Sequence, residues 1–233
     1  MPNPVLVLDQ VRFAYPKQKD ILDIPSFSML PQEKVFLQGP SGSGKTTLLG
    51  LLAGVLTTKY GQIRLLDTSL SSLSNKARDQ FRADHIGFIF QQFNLLPFLS
   101  VRQNVALSCR FSKQRKARLG DAQAISQRIE QLLSQLGLEP DLYEQRADQL
   151  SIGQQQRVAA ARALLGSPSL IIADEPTSAL DYQTREHFIE CLFEQCTATG
   201  SSLLFVSHDQ NLAPLFDRTV ALQDINQVAK ENV

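Results

Sequence analysis

The sequence lacks an apolar stretch long enough to cross a membrane. Its longest near-continuous apolar run covers residues 48–56, far short of the roughly 20 residues that a transmembrane helix needs. Residues 1–4 carry no basic patch and precede no long apolar run, so they do not match a signal peptide. We therefore expect a soluble, cytoplasmic protein that reaches a membrane only by docking on another protein.

Cysteine is scarce, and neither sign of charge predominates. The three cysteines, Cys109, Cys191 and Cys196, have no C-x-x-C or metal-like spacing, and we interpret them as packing residues in a reducing compartment. Lysine plus arginine and aspartate plus glutamate both number 23. This balance argues against nucleic acid as a partner, because no polyanion-binding surface covers the protein, but it leaves local phosphate sites possible.

Short apolar runs alternate with longer helical patterns, which is typical of an α/β protein with a largely parallel sheet. Four runs are apolar on both faces, as expected of strands covered by helices on both sides. They are residues 35–37, 88–90, 170–173 and 203–206. Because ligands of open α/β sheets bind beyond the carboxyl ends of the strands, the four strand ends indicate one common site.

Residues 95–150 differ, since they show helical periodicity and few strand signals. We predict a helical insert here. The apolar residues on one helical face are Ile125, Ile129, Leu132, Leu133 and Leu136, with Gly137 as a C-cap. A basic run comprises Lys113, Arg115, Lys116 and Arg118. We interpret it as a solvated helix face or loop, with contact to a partner or to lipid head groups as the alternative.

Residues 39–46 match the pattern G-x-x-x-x-G-K-[ST] completely. They lie between a strand predicted over residues 34–38 and an apolar helix predicted over residues 45–53. Glycines let the backbone turn tightly, so that successive N–H groups and the helix N-terminus converge on phosphate oxygens. Alone, this motif identifies a P-loop NTPase and leaves GTPases, kinases and motors open.

The loop predicts particular contacts with a nucleotide. Lys45 would neutralise the β- and γ-phosphates, and the Thr46 hydroxyl would ligate magnesium. The predicted nucleotide-binding residues of this segment are Gly39, Pro40, Ser41, Gly42, Ser43, Gly44, Lys45, Thr46 and Thr47.

Another apolar strand ends in two acids, Asp174 and Glu175. Asp174 is predicted to hold magnesium, directly or through water, beside the phosphate loop. Alternation along an extended chain is expected to turn Glu175 towards the γ-phosphate, where it would orient and deprotonate the attacking water. A solvated acidic pair at a strand end is the alternative.

Residues 150–157, Leu-Ser-Ile-Gly-Gln-Gln-Gln-Arg, are predicted to begin a helix. Ser151 as N-cap and Gln154 three residues later form a capping box, and Gly166 with Pro168 ends the helix. A serine, a glycine N–H and a helix N-terminus make a second anion site for a nucleotide that already has one. An ordinary capped surface helix is the alternative.

This segment resembles the signature sequence of ABC transporter ATP-binding subunits, usually Leu-Ser-Gly-Gly-Gln. In that family the signature of one subunit completes the ATP site of the other, so the resemblance implies a homodimer with two sandwiched ATP molecules. The matching residues are Leu150, Ser151, Ile152, Gly153 and Gln154. Ile152 replaces a glycine at a variable position, so we expect activity to survive, with altered dimer closure.

Other elements of the family follow in order. Tyr15 resembles the aromatic residue that stacks on adenine. Gln91 matches the Q-loop glutamine that reaches magnesium and the attacking water, with Gln92 as the neighbouring register.

Two further motifs of the family come later in the chain. Ser178 and Asp181 match the D-loop, which crosses the dimer interface, and His208 matches the switch histidine that contacts the γ-phosphate. We interpret His85 and His187 as structural or solvated. With Glu175 as the base, the resemblance implies Glu175, His208 and Gln91 as catalytic residues, and Thr46, Gln91 and Asp174 as magnesium ligands.

The resemblance covers nearly the whole chain as one nucleotide-binding domain. It implies a RecA-like P-loop core with a mostly parallel sheet, an N-terminal antiparallel β subdomain and a helical subdomain. The helical part would be residues 95–150, and residues 1–94 and 151–233 would form the rest. Residues 81–105 resemble the LolD, FtsE and MacB group, although the D-loop Ser-Ala-Leu-Asp is less typical there.

The resemblance implies an ATP- and Mg²⁺-dependent hydrolase on the cytoplasmic face of the inner membrane, docked on a separate permease that it powers. Members of the group serve lipoprotein extraction, drug or peptide efflux, or mechanical signalling. A soluble repair or translation ATPase is a rival, but one compact cassette without a long coiled coil fits neither. A non-hydrolysing scaffold is a second rival, which the intact Glu175 and His208 weaken.

Overall fold

The computed structural model describes residues 3–178, 180 and 182–230. The helices and strands, in chain order, are β1 (Leu6–Phe13), β2 (Leu22–Met29), β3 (Lys34–Gln38), α1 (Lys45–Leu52), β4 (Tyr60–Leu65), β5 (Thr68–Ser69), α2 (Asn75–His85), β6 (Ile86–Ile89), α3 (Val101–Phe111), α4 (Lys113–Leu119), α5 (Ala122–Gln135), α6 (Ile152–Leu164), β7 (Leu170–Asp174), α7 (Tyr182–Thr199), β8 (Ser202–Val206), β9 (Arg218–Ala221) and α8 (Leu222–Ile225).

These elements divide into two compact units. The first is built from the described parts of Met1–Arg82 and Ser202–Val233, and the second from those of residues 83–201. Residues 95–150, predicted as a helical insert, lie within the second unit and contain α3, α4 and α5. None of the helices in the described ranges is both long and apolar enough to traverse a bilayer.

The first unit contains an antiparallel sheet with the strand order β2-β1-β4-β5. Alternate residues of β1, such as Leu6 and Leu8, are buried, as period-two patterning requires. The β1–β4 register shifts between Asp9 and Arg12, where Gln10 has a φ of 51°. Gly61 fits against this bulge because an added Cβ would lie 2.1 Å from the Gln10 carbonyl oxygen.

The first unit also contains three parallel strands, in the order β8-β3-β9. Their core includes Phe36, Phe205 and Phe216, whose ring centroids lie 5.1–6.2 Å apart. Because the three strands are parallel, their carboxyl ends share one edge, and the segments that follow them meet there.

The second unit contains the parallel pair β6 and β7, with Ile89 opposite Ala173. Together the parallel pairs and the antiparallel sheet confirm the predicted fold class. The strand predicted over residues 88–90 is displaced, since β6 ends at Ile89 and Phe90 lies outside it, 38 % exposed and stacked on Phe88.

The predicted helical face of residues 125–136 is confirmed in α5 and its C-cap, except that its first member, Ile125, is only half-buried. Ile129, Leu132, Leu133 and Leu136 are buried, and Gly137 follows with a φ of 75°, the left-handed backbone that ends helices. All three cysteines are buried as well, which agrees with their predicted packing role.

The basic run of α4 corrects a prediction. Arg115 is 2 % exposed rather than solvated. It donates hydrogen bonds to the carbonyl oxygens of Ile86 (2.5 Å), Ala163 (3.2 Å) and Leu165 (3.3 Å). The last carbonyls of a helix have no intrahelical partner, and Arg115 supplies one to α6. Burial lowers the pKa of its guanidinium to about 10.

Candidate functional site

The phosphate loop joins β3 to α1. Gly42 and Gly44 have φ values of 78° and 97°, which only glycine adopts without strain. The space beside Gly42 is open, since an added Cβ would meet no described atom within 4 Å. Gly44, in contrast, packs on β2, where an added Cβ would lie 3.0 Å from Leu22 Cδ2. Among the described residues, no side chain caps the first turn of α1.

Lys45 lies at the first position of α1, and its side chain folds back over the loop. Its Nζ donates to the carbonyl oxygens of Gly39 (2.5 Å) and Pro40 (3.0 Å). The ammonium therefore sits at the start of the loop, within the ring of backbone that the sequence predicts to surround phosphate.

The Ser43 side chain gives an independent indication of a ligand. Its Oγ is buried and, within the described chain, has no hydrogen-bond partner. It lies close to the loop backbone, since a Cβ added at Gly39 would be 2.8 Å from it. A buried hydroxyl without a partner is costly, and a phosphate oxygen would supply the missing acceptor.

Two of the predicted magnesium ligands, one in each unit, have side chains of the kind that Mg²⁺ binds. Thr46 is exposed at the start of α1, and Asp174 ends β7 in the second unit. Hydroxyl and carboxylate oxygens are the ligands that Mg²⁺ prefers, and it keeps several waters and substrate phosphates as well. The described chain contains no group of three or more His, Cys, Asp or Glu residues that could hold a metal ion.

Tyr15 lies beside the beginning of α1. Its hydroxyl is 3.4 Å from Thr47 Oγ1, and its ring meets the Phe13 ring edge-on, with centroids 5.1 Å apart. The Tyr15 residue is 36 % exposed, so part of it is accessible to a ligand. The aromatic residue predicted from the resemblance is thus next to the phosphate loop.

His208 shares a pocket of about 320 Å³ with the first residues of the loop. The lining residues are Gln38, Gly39, Pro40, His208, Gln210, Ala221 and Gln223. The parallel order β8-β3-β9 explains this arrangement, because each strand delivers its following segment to the same edge. Sequence reasoning missed the three glutamines; the signal available for them was only their position just before or after a strand end.

Asp174 and Glu175 lie at the end of β7 and are both half-buried. The expected extended backbone at Glu175 is wrong, because its φ is 47°. The chain turns there, and the Ser178 N–H donates to the Glu175 carbonyl oxygen at 3.3 Å. Left-handed backbone rather than strand alternation therefore directs the Glu175 side chain. Such backbone at a non-glycine residue costs about 1–3 kcal/mol and concentrates at functional sites.

Gln91 and Gln92 occupy the middle of a tight turn after β6. The Phe93 N–H donates to the Phe90 carbonyl oxygen at 2.9 Å and closes this turn, and both glutamines are exposed.

The predicted D-loop residue Ser178 is exposed, while Asp181 lies outside the described residues. His85 is half-buried, and burial lowers its pKa, whereas His187 is exposed.

The predicted capping box at the start of α6 is confirmed. The Gln154 N–H donates to Ser151 Oγ at 3.3 Å, and the Ser151 N–H donates to Gln154 Oε1 at 2.8 Å. Leu150 is buried, whereas Ile152 is 54 % exposed. The isoleucine thus leaves the helix start intact and presents an apolar side chain beside Ser151.

Comparison with known proteins places these features in a family. The family model described as ABC transporter matches residues 22–178. YbbA of Escherichia coli K12, an uncharacterized ABC transporter ATP-binding protein, is 41 % identical over 191 residues, which are 82 % of this chain and 80 % of YbbA. The lipoprotein-releasing system ATP-binding protein LolD 1 of Rhodospirillum rubrum is 35 % identical over 98 % of this chain and its own full length.

The macrolide export ATP-binding/permease protein MacB of Shigella flexneri is 38 % identical over 95 % of this chain, but the chain spans only 34 % of that relative. Among solved structures, a dimeric ATP-binding cassette in a post-hydrolysis state, bound to ADP and Pi, superposes with a TM-score of 0.83, 34 % identity and 94 % coverage of each chain. The chain belongs to the ABC transporter family, in which it is an ATP-binding and ATP-hydrolysing cassette.

Proposed function

We propose that two copies of this chain sandwich two ATP molecules, and that closing and opening of the dimer drives a separate membrane-spanning permease. The observation that carries the proposal is the presence, in one chain, of the two helix starts that the sequence predicts to be anion sites. The phosphate loop holds the nucleotide of its own copy, and the start of α6 reaches the γ-phosphate held by the other copy. The dimeric cassette with ADP and Pi, 34 % identical, supports this assembly.

Binding begins at the phosphate loop. Backbone N–H groups of residues 39–46, the Lys45 ammonium and the Ser43 hydroxyl hold the β- and γ-phosphates, and adenine stacks on the Tyr15 ring. When bound, Mg²⁺ neutralises charge on the transferred phosphoryl group, and Thr46, Gln91 and Asp174 would hold it.

Hydrolysis uses a water in line with the γ-phosphate. The Glu175 carboxylate accepts a proton from this water as its oxygen attacks phosphorus, the Gln91 amide orients the water, and His208 donates to a γ-phosphate oxygen. The bond to the β-phosphate oxygen breaks, ADP and phosphate form, and the link between Lys45 of one copy and Ser151 of the other is lost. The dimer then opens.

The partner is proposed from the relatives. MacB carries ATP-binding and permease parts by name, and this chain matches a third of it; LolD, matched over its full length, is named as the ATP-binding protein of a lipoprotein-releasing system. We infer that this cassette docks on a permease of the LolD and MacB type at the cytoplasmic face of the inner membrane. The permease, which meets the cargo, sets the choice among lipoprotein, peptide, drug or mechanical output.

The sandwich and the base are tested with Glu175→Gln. This variant should bind ATP with unchanged affinity, elute as a dimer with ATP and Mg²⁺, and hydrolyse ATP at a rate lower by about 10²–10⁴-fold. Removing Mg²⁺ with a chelator should stop hydrolysis by the natural chain. Normal turnover of the variant would refute Glu175 as the base, and a monomer in saturating Mg²⁺-ATP would refute the sandwich.

A further inference from the structure

The turn that carries Gln91 is continued by two residues in left-handed backbone. Phe93 has a φ of 59° and Asn94 a φ of 48°. The Phe93 ring is buried, so packing around this ring holds the two residues in place from the side-chain side. Non-glycine residues rarely adopt such backbone, and two in succession persist only where neighbouring groups hold them.

Arg162 is the neighbouring group that holds them. Its two terminal nitrogens donate to successive carbonyl oxygens, Nη2 to Phe93 at 2.5 Å and Nη1 to Asn94 at 2.6 Å. These are short hydrogen bonds from a charged donor, in the planar fork that a guanidinium provides and an ammonium does not. Burial lowers the pKa of Arg162, because it disfavours the charged form of the side chain. The guanidinium is thus largely removed from water where it binds these two carbonyl oxygens.

Arg162 belongs to α6, the helix whose first residues, Ile152 and Gly153, are part of the signature. Ten residues of helix separate Ile152 from Arg162, a rise of about 15 Å. At its other end the Gln91 turn is continuous with β6, whose Ile89 pairs with Ala173 of β7. The turn is therefore held between a sheet strand on one side and the signature helix on the other.

We propose that Arg162 is a positioning residue that couples the signature helix to Gln91. When the start of α6 engages a γ-phosphate, the helix carries Arg162 with it, and the guanidinium transmits the displacement to the Phe93 and Asn94 carbonyls and so to the Gln91 amide. The inference rests on the proposed role of Gln91 in hydrolysis. It adds the residue that positions the Gln91 side chain for that role.

A double-mutant cycle tests the coupling. Arg162→Lys keeps the charge but replaces the two terminal nitrogens of the planar fork with a single nitrogen on a shorter side chain. We expect it to lower kcat by about tenfold with the KM for ATP within about twofold. In a Gln91→Ala background, the same substitution should cause no further loss, because there is no amide left to position. Thermal melting of each variant verifies folding. Arg162→Gln, whose side chain is uncharged, tests the paired hydrogen bonds a second time.

Arg118 supplies the matched control. It donates to the carbonyl oxygens of Gly166 (3.1 Å) and Ser167 (2.9 Å), which also have positive φ values, 79° and 51°. Arg118→Lys removes the same chemistry from two carbonyls that follow the C-terminal end of α6 and do not belong to the Gln91 turn. We expect its kcat to stay within about twofold of the natural value in both backgrounds.

The outcomes separate this inference from the proposed function. Unchanged kcat in Arg162→Lys, or losses from Arg162→Lys and Gln91→Ala that multiply, would overturn the coupling and leave the ATPase mechanism standing. Unchanged kcat in Gln91→Ala would instead refute the role of Gln91 itself, and the coupling with it. A tenfold loss that disappears in the Gln91→Ala background supports both.

Discussion

The two helix starts that the sequence marks as anion sites, those of α1 and α6, are built in opposite ways. At α1 the N-cap is Gly44 in left-handed backbone, and no described side chain caps the first turn. At α6, Ser151 and Gln154 cap each other. The start of α1 leaves its donors to a ligand, whereas the start of α6 satisfies two of its own and is stable without one.

The difference extends to the neighbouring side chains. Beside α1, the Ser43 hydroxyl is buried without a described partner, so this site is complete only with an acceptor from outside. Beside α6, Ser151 and Ile152 are exposed and available to a second surface. In the proposed function, the start of α1 captures phosphate, and the start of α6 recognises phosphate that the other copy already holds.

The largest effect is expected at the capture site. Lys45→Ala removes the ammonium over the loop, and we expect ATP affinity to fall roughly 100-fold or more, because a desolvated phosphate charge loses its partner. Equilibrium binding of a fluorescent ATP analogue measures this. A variant that binds within a few-fold of the natural chain would contradict the capture role, and an unchanged melting temperature without nucleotide is the control.

Ser151→Ala should separate the two sites. Loss of an N-cap hydroxyl costs about 1 kcal/mol of unfolding free energy, which urea titration detects. ATP binding to the single chain should be unchanged, while ATP-induced dimer formation in the Glu175→Gln background should fail. Weakened ATP binding by the monomer would show that α6 takes part in capture.

Ser43→Ala should have the opposite effects to Ser151→Ala on unfolding free energy and on ATP binding by the single chain. Its hydroxyl has no described partner to lose, so the unfolding free energy without nucleotide should be unchanged or higher. The dissociation constant for ATP should rise by about two- to tenfold, which corresponds to one hydrogen bond. If this variant were less stable and bound ATP normally, the contrast between the two helix starts would fail.

The smallest effect is expected for Ile152→Gly. The side chain is largely exposed, so unfolding free energy should change by less than about 1 kcal/mol. Hydrolysis should persist in both proteins, and only the ATP concentration that half-saturates dimer formation should shift. An inert natural chain and an active glycine variant, each with its permease present, would show that Ile152 blocks closure.

Local sequence predicted much of both sites. The glycine pattern of residues 39–46 and the Ser151–Gln154 spacing each specify a short-range geometry, and the structure contains both. The apolar runs gave four parallel strands to within a residue or two, because burial on both faces leaves a continuous apolar signature.

Contacts between distant segments were not predictable in this way. Arg115 looks like one charge in a basic run, and only the fold reveals that the end of α6 lies against it. Arg162 likewise sits in a helical pattern that shows nothing of carbonyls 68 and 69 residues away. Backbone hydrogen-bond needs at element ends have no side-chain signature, so the residues that meet them are invisible in composition or periodicity.

The left-handed backbone of Glu175 bears on how this protein would respond to selection for heat tolerance alone. Asparagine and glycine adopt that conformation more readily than glutamate, so either residue at this position would relieve strain and raise the melting temperature. Both would also remove the carboxylate that the proposed mechanism uses. Stabilising screens that ignore turnover should therefore accept substitutions at this position that inactivate the protein.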